Sequence, residues 1–543
     1  MHQSLLSRLV GQLRSLGRRL CVERGGNVII IVAGAMIPMT FAVGFGIDYA
    51  RAMKLQSQMG AAADAAAVAA VTAMSMQDNS TAGQTKAQTA AINMFTGQVA
   101  NLKGVIFNKT NDLIVTISTT GALNNGRRVM VQWRAQSTNI FAGLLGAPSL
   151  PISGTVSSQA IKAPYINFYL VMDTSPSMLL PTTSTGLSSI RTATSTTSLT
   201  SGCDFACHEQ NPHSDAVYIR DSSQRDIYLS ANYYTSGQPG FQTYYLVNAS
   251  TNKVYNSAGT LLSGYTYSNG TVSYTSGRTT TSVPGYFADG YWLTHNYGSV
   301  VSGSSSIEVR IDAERVAAQQ LIPYAANQAS ANGVTYNLQM YAFNWSHPGS
   351  TNNPVTALTS TMADVGTLSA SSVPDLYASQ DYWANNGCPT SSNCINDAAT
   401  EFNNMFTTMN NIMPTPGDGT TSSSPQEVMF LITDGMSDEV VNGSRWNREL
   451  NLTDLAKCTT IKSRGIRIAV LYTQYLPDAL TGDSWSQSNV APYLGNVAPA
   501  LQACASSGSD GTALFYQVTT DQNISDALVT LFALTVQQAH LIQ

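Results

Sequence analysis

The stretch Tyr165-Ile-Asn-Phe-Tyr-Leu-Val-Met-Asp173-Thr-Ser175-Pro-Ser177-Met178 decides the fold. It is an apolar run rich in β-branched and aromatic residues, with no turn residue before Asp173. That pattern predicts a strand buried on both faces, in the middle of a parallel sheet. Open α/β sheets bind ligands outside the carboxyl ends of their strands. Here that end presents hard oxygen donors at alternate positions, Asp173, Ser175 and Ser177, which is the opening of a divalent-cation site.

A second apolar run, Val428-Met-Phe-Leu-Ile-Thr433, ends in Asp434-Gly435-Met-Ser-Asp438. Gly435 permits a tight turn there. Further strands are expected at residues 337–344, 466–473 and 514–518, with helices at 311–322 and 524–539. The strand-DxSxS followed by strand-TDG resembles von Willebrand factor A (vWA) domains. That resemblance implies a Rossmann-like, doubly wound, mostly parallel α/β sheet with a metal-ion-dependent adhesion site. In such sites the first loop gives an Asp and two hydroxyls, a second loop a Thr and a third an Asp. Carried over here, the ligands are Asp173, Ser175, Ser177 and Asp434, with Mg²⁺ as the expected ion and Ca²⁺ or Mn²⁺ as alternatives. The threonine is Thr390 or Thr400. Thr400 is preferred, because it can cap a helix in which Phe402, Met405, Phe406 and Met409 fall at helical spacing. The family pattern GTDF aligns with Ala399-Thr400-Glu401-Phe402, with Ala399 in place of the glycine.

In vWA domains the first helix follows DxSxSM directly, whereas here the helical pattern of residues 311–322 arrives far downstream. Residues of about 180–306 therefore read as an insertion. The alternation of Tyr and Val with Ser and Thr in 244–255 and 264–274, around Asn269-Gly270, predicts β-hairpins in it. A solvated, β-rich excursion beside the metal site is expected, although Tyr, Ser, Gly and Asn also compose recognition surfaces.

Upstream, Arg8, Arg14, Arg18, Arg19 and Arg24 face a single acid, Glu23, and Val28 to Ile47 then carries no charge. Some 20 residues at ~1.5 Å each cross a hydrocarbon core of about 30 Å. The arginines place the N-terminus in the cytoplasm and the rest of the chain outside, in the periplasm or on the surface of a bacterial inner-membrane protein. The span is longer than a signal-peptide core and runs into a long Ala-rich helix over 48–74, so it reads as an uncleaved anchor. A prepilin-type leader would carry an acid early in the span, where Ile31 stands. Arg24-Gly-Gly-Asn27, the span, GIDYARAMKLQSQM and AAADAAAVAA resemble, in that order, the N-terminal region of TadG-like proteins of Tad (Flp) pilus-assembly systems. A helix at 90–100, strands at 105–107, 113–118 and 128–135, and an Asn124-Asn-Gly126 turn complete a small α+β domain, pilin-like in layout by that resemblance. The expected organisation is 1–26 cytoplasmic, 27–47 transmembrane, 48–163 helix plus small domain, and 164–543 vWA domain.

Only 11% of residues are charged and the net charge is −5, so no basic face for nucleic acid is expected. Of the seven cysteines, Cys21 precedes the span and six follow it, an even number suited to disulfides outside the cytosol. The expected pairs are Cys203 with Cys207, Cys388 with Cys394, and Cys458 with Cys504. Cys203-Asp-Phe-Ala-Cys207-His208 has one residue too many for haem attachment, and His208 with His213 leaves zinc short of a ligand. The CxFACH run and the later RIDxxRxA pattern also recur in TadG-like proteins with vWA domains.

Two carboxylates among neutral hydroxyls are too few for a hydrolytic centre, which also needs a positioned base. They suit a cation with one position left for a partner's carboxylate. The expected protein is thus not an enzyme. It is a membrane-anchored component of a Tad/Flp-type pilus-assembly or adhesion system, binding pilus components or a surface ligand. The alternative is a structural anchor whose vWA domain is a scaffold without metal.

Overall fold

The computed structural model describes residues 27–121, 125–195, 202–204, 219–230, 244–283, 285–288, 290–302, 306–345, 353–376, 400–441, 444–448, 450, 452–480, 484–508 and 511–541. They form two compact units, which divide between Lys162 and Ala163.

In the first unit, α1 (Asn27–Ala69) is a single helix of 43 residues with Pro38 inside it. It is long and apolar enough to cross a membrane, and its apolar part is almost wholly exposed. No break separates the uncharged stretch from the Ala-rich one. The Ala-rich part has high helix propensity, and an apolar span in lipid is helical despite Pro38 and its glycines because every backbone polar group must be satisfied within the segment. The helix stops at Ala69, short of the expected 74, and Thr72 caps a separate turn, Ala73–Met76. From Ala52 onward one face is buried, through Leu55, Met59, Ala62, Ala63, Ala66, Ala67 and Ala70. It packs with α2 (Thr81–Val99), whose Ala87, Ala91, Phe95 and Val99 recur every fourth residue. This helix begins well before the expected residue 90, since Ser80 accepts the Gly83 N–H as N-cap.

Both helices cover one face of an antiparallel sheet. Its long central strand β3 (Gly126–Thr138) pairs on one side with β1 (Val105–Ile106) and β2 (Leu113–Thr120), and on the other with β4 (Ser149–Ile161). Val129, Val131, Trp133 and Ala135 alternate toward the helices. The Thr120↔Gly126 pair closes the expected hairpin, whose Asn124 lies outside the described residues.

The second unit opens with β5 (Ile166–Asp173) and a 3-10 turn, Pro176–Leu179. The chain then leaves through α3 (Ser184–Thr194), and the insertion follows. The strands β6 (Asp226–Ser230), β7 (Tyr244–Asn248), β8 (Lys253–Asn256) and, after the next hairpins, β12 (Gly285–Phe287) make one sheet, ordered β12-β6-β7-β8. Between them β9 (Tyr265–Ser268), β10 (Thr271–Ser276) and β11 (Thr279–Val283) make a second. Asn269 and Gly270 both have positive φ, 48° and 79°, as a two-residue hairpin turn demands. A helix, α4 (Gly290–Tyr297), precedes the return. Thr182 N–H donates to the Glu308 carbonyl (3.0 Å) and Arg310 N–H to the Leu180 carbonyl (2.9 Å), so the excursion leaves and re-enters at one point.

The excursion is β-rich as expected, with helices α3 and α4 beside its two sheets. The expectation that it is merely solvated is corrected, because its Ile227, Leu229, Leu246, Trp292 and Leu293 belong to the same core as Phe168, Leu170 and Met172 of β5. Tyr/Val alternation marks one apolar face without revealing what covers it.

The chain continues through α5 (Arg310–Asn332), β13 (Tyr336–Phe343), β14 (Val355–Ala357), β15 (Ala363–Asp364), α6 (Phe402–Ile412) and β16 (Gln426–Thr433). A small hairpin, β17 (Glu439–Val441) and β18 (Ser444–Asn447), leads to α7 (Leu452–Ser463), β19 (Arg467–Thr473), α8 (Leu494–Cys504), β20 (Phe515–Val518) and α9 (Ile524–Leu541). The main sheet is ordered β14-β13-β5-β16-β19-β20, with β15 also on β13. The five long neighbours are parallel, while β14 and β15 run antiparallel at the edge. Even residues of β5 face α5 and α9, and Tyr169 and Val171 face α6, α7 and α8. A sheet covered on both faces explains strands without polar alternation. Cys458 of α7 and Cys504 of α8 form a disulfide, Cα atoms 5.3 Å apart.

Candidate functional site

The direction of winding reverses at β5. From it the chain builds β13 on one side and later returns to place β16 on the other. The carboxyl ends of β5 and β16 therefore lie side by side where connections depart to opposite faces, the crevice at which such sheets hold ligands. Asp173 is the last residue of β5, and Asp434 follows the last residue of β16. Both are fully buried.

Asp173 Oδ1 accepts the Ser175 N–H (2.9 Å), and its Oδ2 accepts the Thr433 hydroxyl (2.6 Å). The hydroxyls of Ser175 and Ser177 lie 3.0 Å apart. Asp434 Oδ1 accepts the Met436 N–H (3.1 Å), whereas Oδ2 is buried with no hydrogen-bond partner. Gly435 has φ +71°, and a Cβ on it would come within 2.5 Å of Val497 and 2.6 Å of Leu501. Only glycine lets α8 close over this turn.

Thr400 is buried against the third loop, with the Asp438 N–H donating to its carbonyl (3.0 Å). Its neighbour Glu401 donates its N–H to the Asn344 carbonyl (2.8 Å), and the Asn344 amide donates to the Thr174 hydroxyl (3.2 Å). Thr400 thus adjoins the third loop through its main chain, and its neighbour is linked to the first loop through Asn344 and Thr174. The expectation that Thr400 caps α6 is corrected: Glu401 is the N-cap, and the Glu439 carboxylate accepts the Asn403 N–H (3.1 Å) in the role expected of the threonine. Thr390, Cys207, His208, His213, Cys388 and Cys394 lie outside the described residues. Cys203 is disulfide-bonded, and its N–H donates to the Thr194 hydroxyl (2.7 Å).

Burial, followed by the charge of Asp434, pushes the Asp173 carboxyl up to about 7, against hydrogen bonds from Ser175 and Thr433. Asp434 is also raised by burial, opposed by the nearby Arg310 guanidinium and the Ser177 hydroxyl. Three further residues complete the surroundings: Thr433, Arg310 and Glu314. Arg310 is buried and donates to the carbonyls of Thr473 (3.3 Å) and Gln474. Glu314, one helical turn on, is fully buried with both oxygens unpartnered; the Asp173 main-chain N–H lies beside it without closing a bond of normal geometry. Burial and then the Asp173 charge hold its carboxyl far above the usual range. A sequence signal for Glu314 existed. It falls on the apolar stripe continued by Ala317, Ala318, Leu321 and Ala325, where a solvated helix carries no acid.

Buried acids beside hydroxyls, one with an unpartnered oxygen, fit a hard cation taking oxygen ligands. Among the described residues no group of three or more His, Cys, Asp or Glu side chains is arranged to hold a metal. The fit therefore rests on two carboxylates and hydroxyls.

Residues 26–73 match the family model of Flp pilus-assembly TadE/G-like proteins. No curated protein matches the chain. Among solved structures, the crystal structure of the pilus adhesin SpaC from Lactobacillus rhamnosus GG is similar at 10% identity and a TM-score of 0.29, over 80% of this chain and 35% of that one. A second structure of the same adhesin, in an open conformation, gives 10%, 0.30, 78% and 35%. The chain thus spans about a third of the adhesin's length. Likeness at that level does not establish a shared fold.

Proposed function

We propose that this chain is a single-pass envelope protein of a Tad/Flp-type pilus-assembly or adhesion system, with the N-terminus in the cytoplasm and the bulk of the chain outside the inner membrane. Its second unit is a vWA-type domain that binds a protein partner through a divalent cation, Mg²⁺ in the first place. The cation is held by Asp173, Ser175, Ser177, Thr400 and Asp434. When bound, it supplies a Lewis-acidic position for a partner's carboxylate. The chain's own residues prepare that position: Thr433 and the Ser175 N–H orient Asp173, and the Gly435 turn aims Asp434. The role is binding rather than catalysis.

The observation that carries this reading is the pair of buried acids at the ends of adjacent strands, one with a free oxygen. The match over residues 26–73 and the exposed apolar α1 support the membrane and pilus parts. Asp173→Ala and Asp434→Ala should each abolish pilus-dependent attachment at normal protein levels. Unchanged attachment removes the metal-dependent role. Protease added to spheroplasts should digest nearly everything after Asp48, and full protection reverses the orientation.

One observation favours a second reading, a scaffold without metal. Arg310 places a permanent positive charge near Asp434. Its donors are directed to the Thr473 and Gln474 carbonyls and leave Asp434 Oδ2 unpaired, so we favour the cation.

A further inference from the structure

Between β3 and β4 the chain runs Asn139-Ile-Phe-Ala-Gly-Leu-Leu-Gly-Ala-Pro148 without a charge. This loop exposes Ile140 by 57%, Leu144 by 78% and Leu145 by 55%. Exposed apolar clusters of this kind mark a contact surface.

The loop is fastened to α1 at one place. Asp48 accepts the N–H groups of Ile140 (2.8 Å) on Oδ1 and of Phe141 (2.9 Å) and Ala142 (2.8 Å) on Oδ2. One turn earlier, the Phe141 ring lies where a Cβ on Gly44 would come within 2.6 Å of it. Gly44 to Asp48 is also where the uncharged stretch of α1 ends. Val43, Phe45 and Ile47 around that point are themselves exposed. Beyond it come Arg51 and Lys54, and the Arg51 guanidinium approaches Gly104, the neighbour of exposed Lys103. Asp48, the nearest acid, is spent on the loop. Along α1, then, an apolar belt that includes the loop is followed by a basic belt. That is the order of the acyl boundary and the anionic headgroups of a bilayer.

We propose that the 139–148 loop is an interfacial membrane anchor. Ile140, Leu144 and Leu145 enter the headgroup–acyl boundary of the leaflet from which α1 emerges, and the exposed Lys54 and Lys103 meet anionic headgroups. This rests on α1 crossing the bilayer. Lipid is the occupant because the patch continues the exposed apolar surface of α1 and is locked to it at Gly44 and Asp48. Two attachments, span and loop, would fix the tilt of the first unit on the membrane.

The test uses the full chain in vesicles of zwitterionic and anionic phospholipid with brominated acyl chains. An environment-sensitive fluorescent amino acid is placed by codon suppression at Leu144, at Leu145 as a second reporter, at Val32 within the span, or at exposed Met94 of α2 as the aqueous reference. A probe ~5–10 Å into the boundary is within reach of the bromines. The expected result is at least about twofold quenching at 144, 145 and 32 and none at 94. Quenching at 32 without 144 and 145 overturns the anchor and leaves the span standing. No quenching at 32 overturns the span and the anchor with it. Quenching at 94 equal to that at 144 also overturns the anchor, because the contact would then not belong to the loop.

Discussion

The two units treat buried charge in opposite ways. In the first, Arg127 is fully buried on the core face of β3, yet all its nitrogens are engaged. They donate to the carbonyls of Ala70, Ser75 and Asp78, to the Ser75 hydroxyl and to the Asn79 side chain, at 2.7 to 3.2 Å. This guanidinium closes the turn between α1 and α2 and satisfies carbonyls that the end of α1 leaves open. In the second unit, Asp434 keeps one unpaired oxygen and Glu314 two, all buried. A fold selected for stability alone would pair such groups or replace them with apolar ones. Arg127 is therefore cement, whereas the acids around Asp173 carry an unmet cost of burial, which is where the proposed cation would act.

The strongest way to break this contrast is at its structural pole. Arg127→Met should cost about 3–5 kcal/mol, since it strands several buried carbonyls at once. A thermal melt of the purified chain would register it as an early transition. A small loss would mean that water takes over the carbonyls.

At the functional pole, a divalent cation at about 100 times its Kd should stabilise the wild type by about 2.7 kcal/mol. Asp434→Asn should lose that response while melting no earlier without cation. Early melting of the variant would place Asp434 with Arg127, as cement.

Glu314→Met should raise the cation-free stability by about 1–3 kcal/mol, because it removes unpaired buried oxygens. Destabilisation of that size in a urea titration would reveal a structural partner for the carboxyl.

The smallest effect is one of pH. Asp173 holds its proton up to about 7, against an ordinary value of 3.8, so the native state binds more protons than the unfolded chain between those values. Cation-free stability is then fully present at low pH and falls as pH rises through about 7. A cation offsets this, so its stabilising increment should be larger at about pH 8 than at about pH 5. Glu427, raised to about 7, and Glu439, raised to about 8, add to the cation-free slope and should leave the increment unchanged. Equal increments at the two pH values would detach Asp173 from the cation.

The parts legible in sequence are those in which one local pattern has one meaning. β5 and β16 carry the apolar runs Phe168–Met172 and Val428–Ile432, each followed closely by an acid, and such runs suit strands covered on both faces. Phe402, Met405, Phe406 and Met409 gave α6 its buried stripe. The Cys458–Cys504 bridge followed from two helices preceding adjacent strands. What was not legible depends on partners distant in the chain. The cap of α6 comes from Glu439 rather than adjacent Thr400, because the β17–β18 hairpin brings that carboxylate to the Asn403 N–H. Glu314 and Arg310 reach the site only because the insertion closes on itself at Leu180 and Arg310 and delivers α5 beneath the strand ends. The first half of α2 is rich in Thr, Gln and Gly, so its helicity comes from its Ser80 cap and its packing on α1 rather than from propensity.

The central claim is that three loops of the second unit hold one divalent cation, and calorimetric titration of Mg²⁺ into the full-length chain near neutral pH tests it most directly. One saturable site per chain is expected in the wild type and none in Asp434→Asn. Failure of Mg²⁺, Ca²⁺ and Mn²⁺ all to bind the wild type, or equally tight binding by the variant, would contradict it.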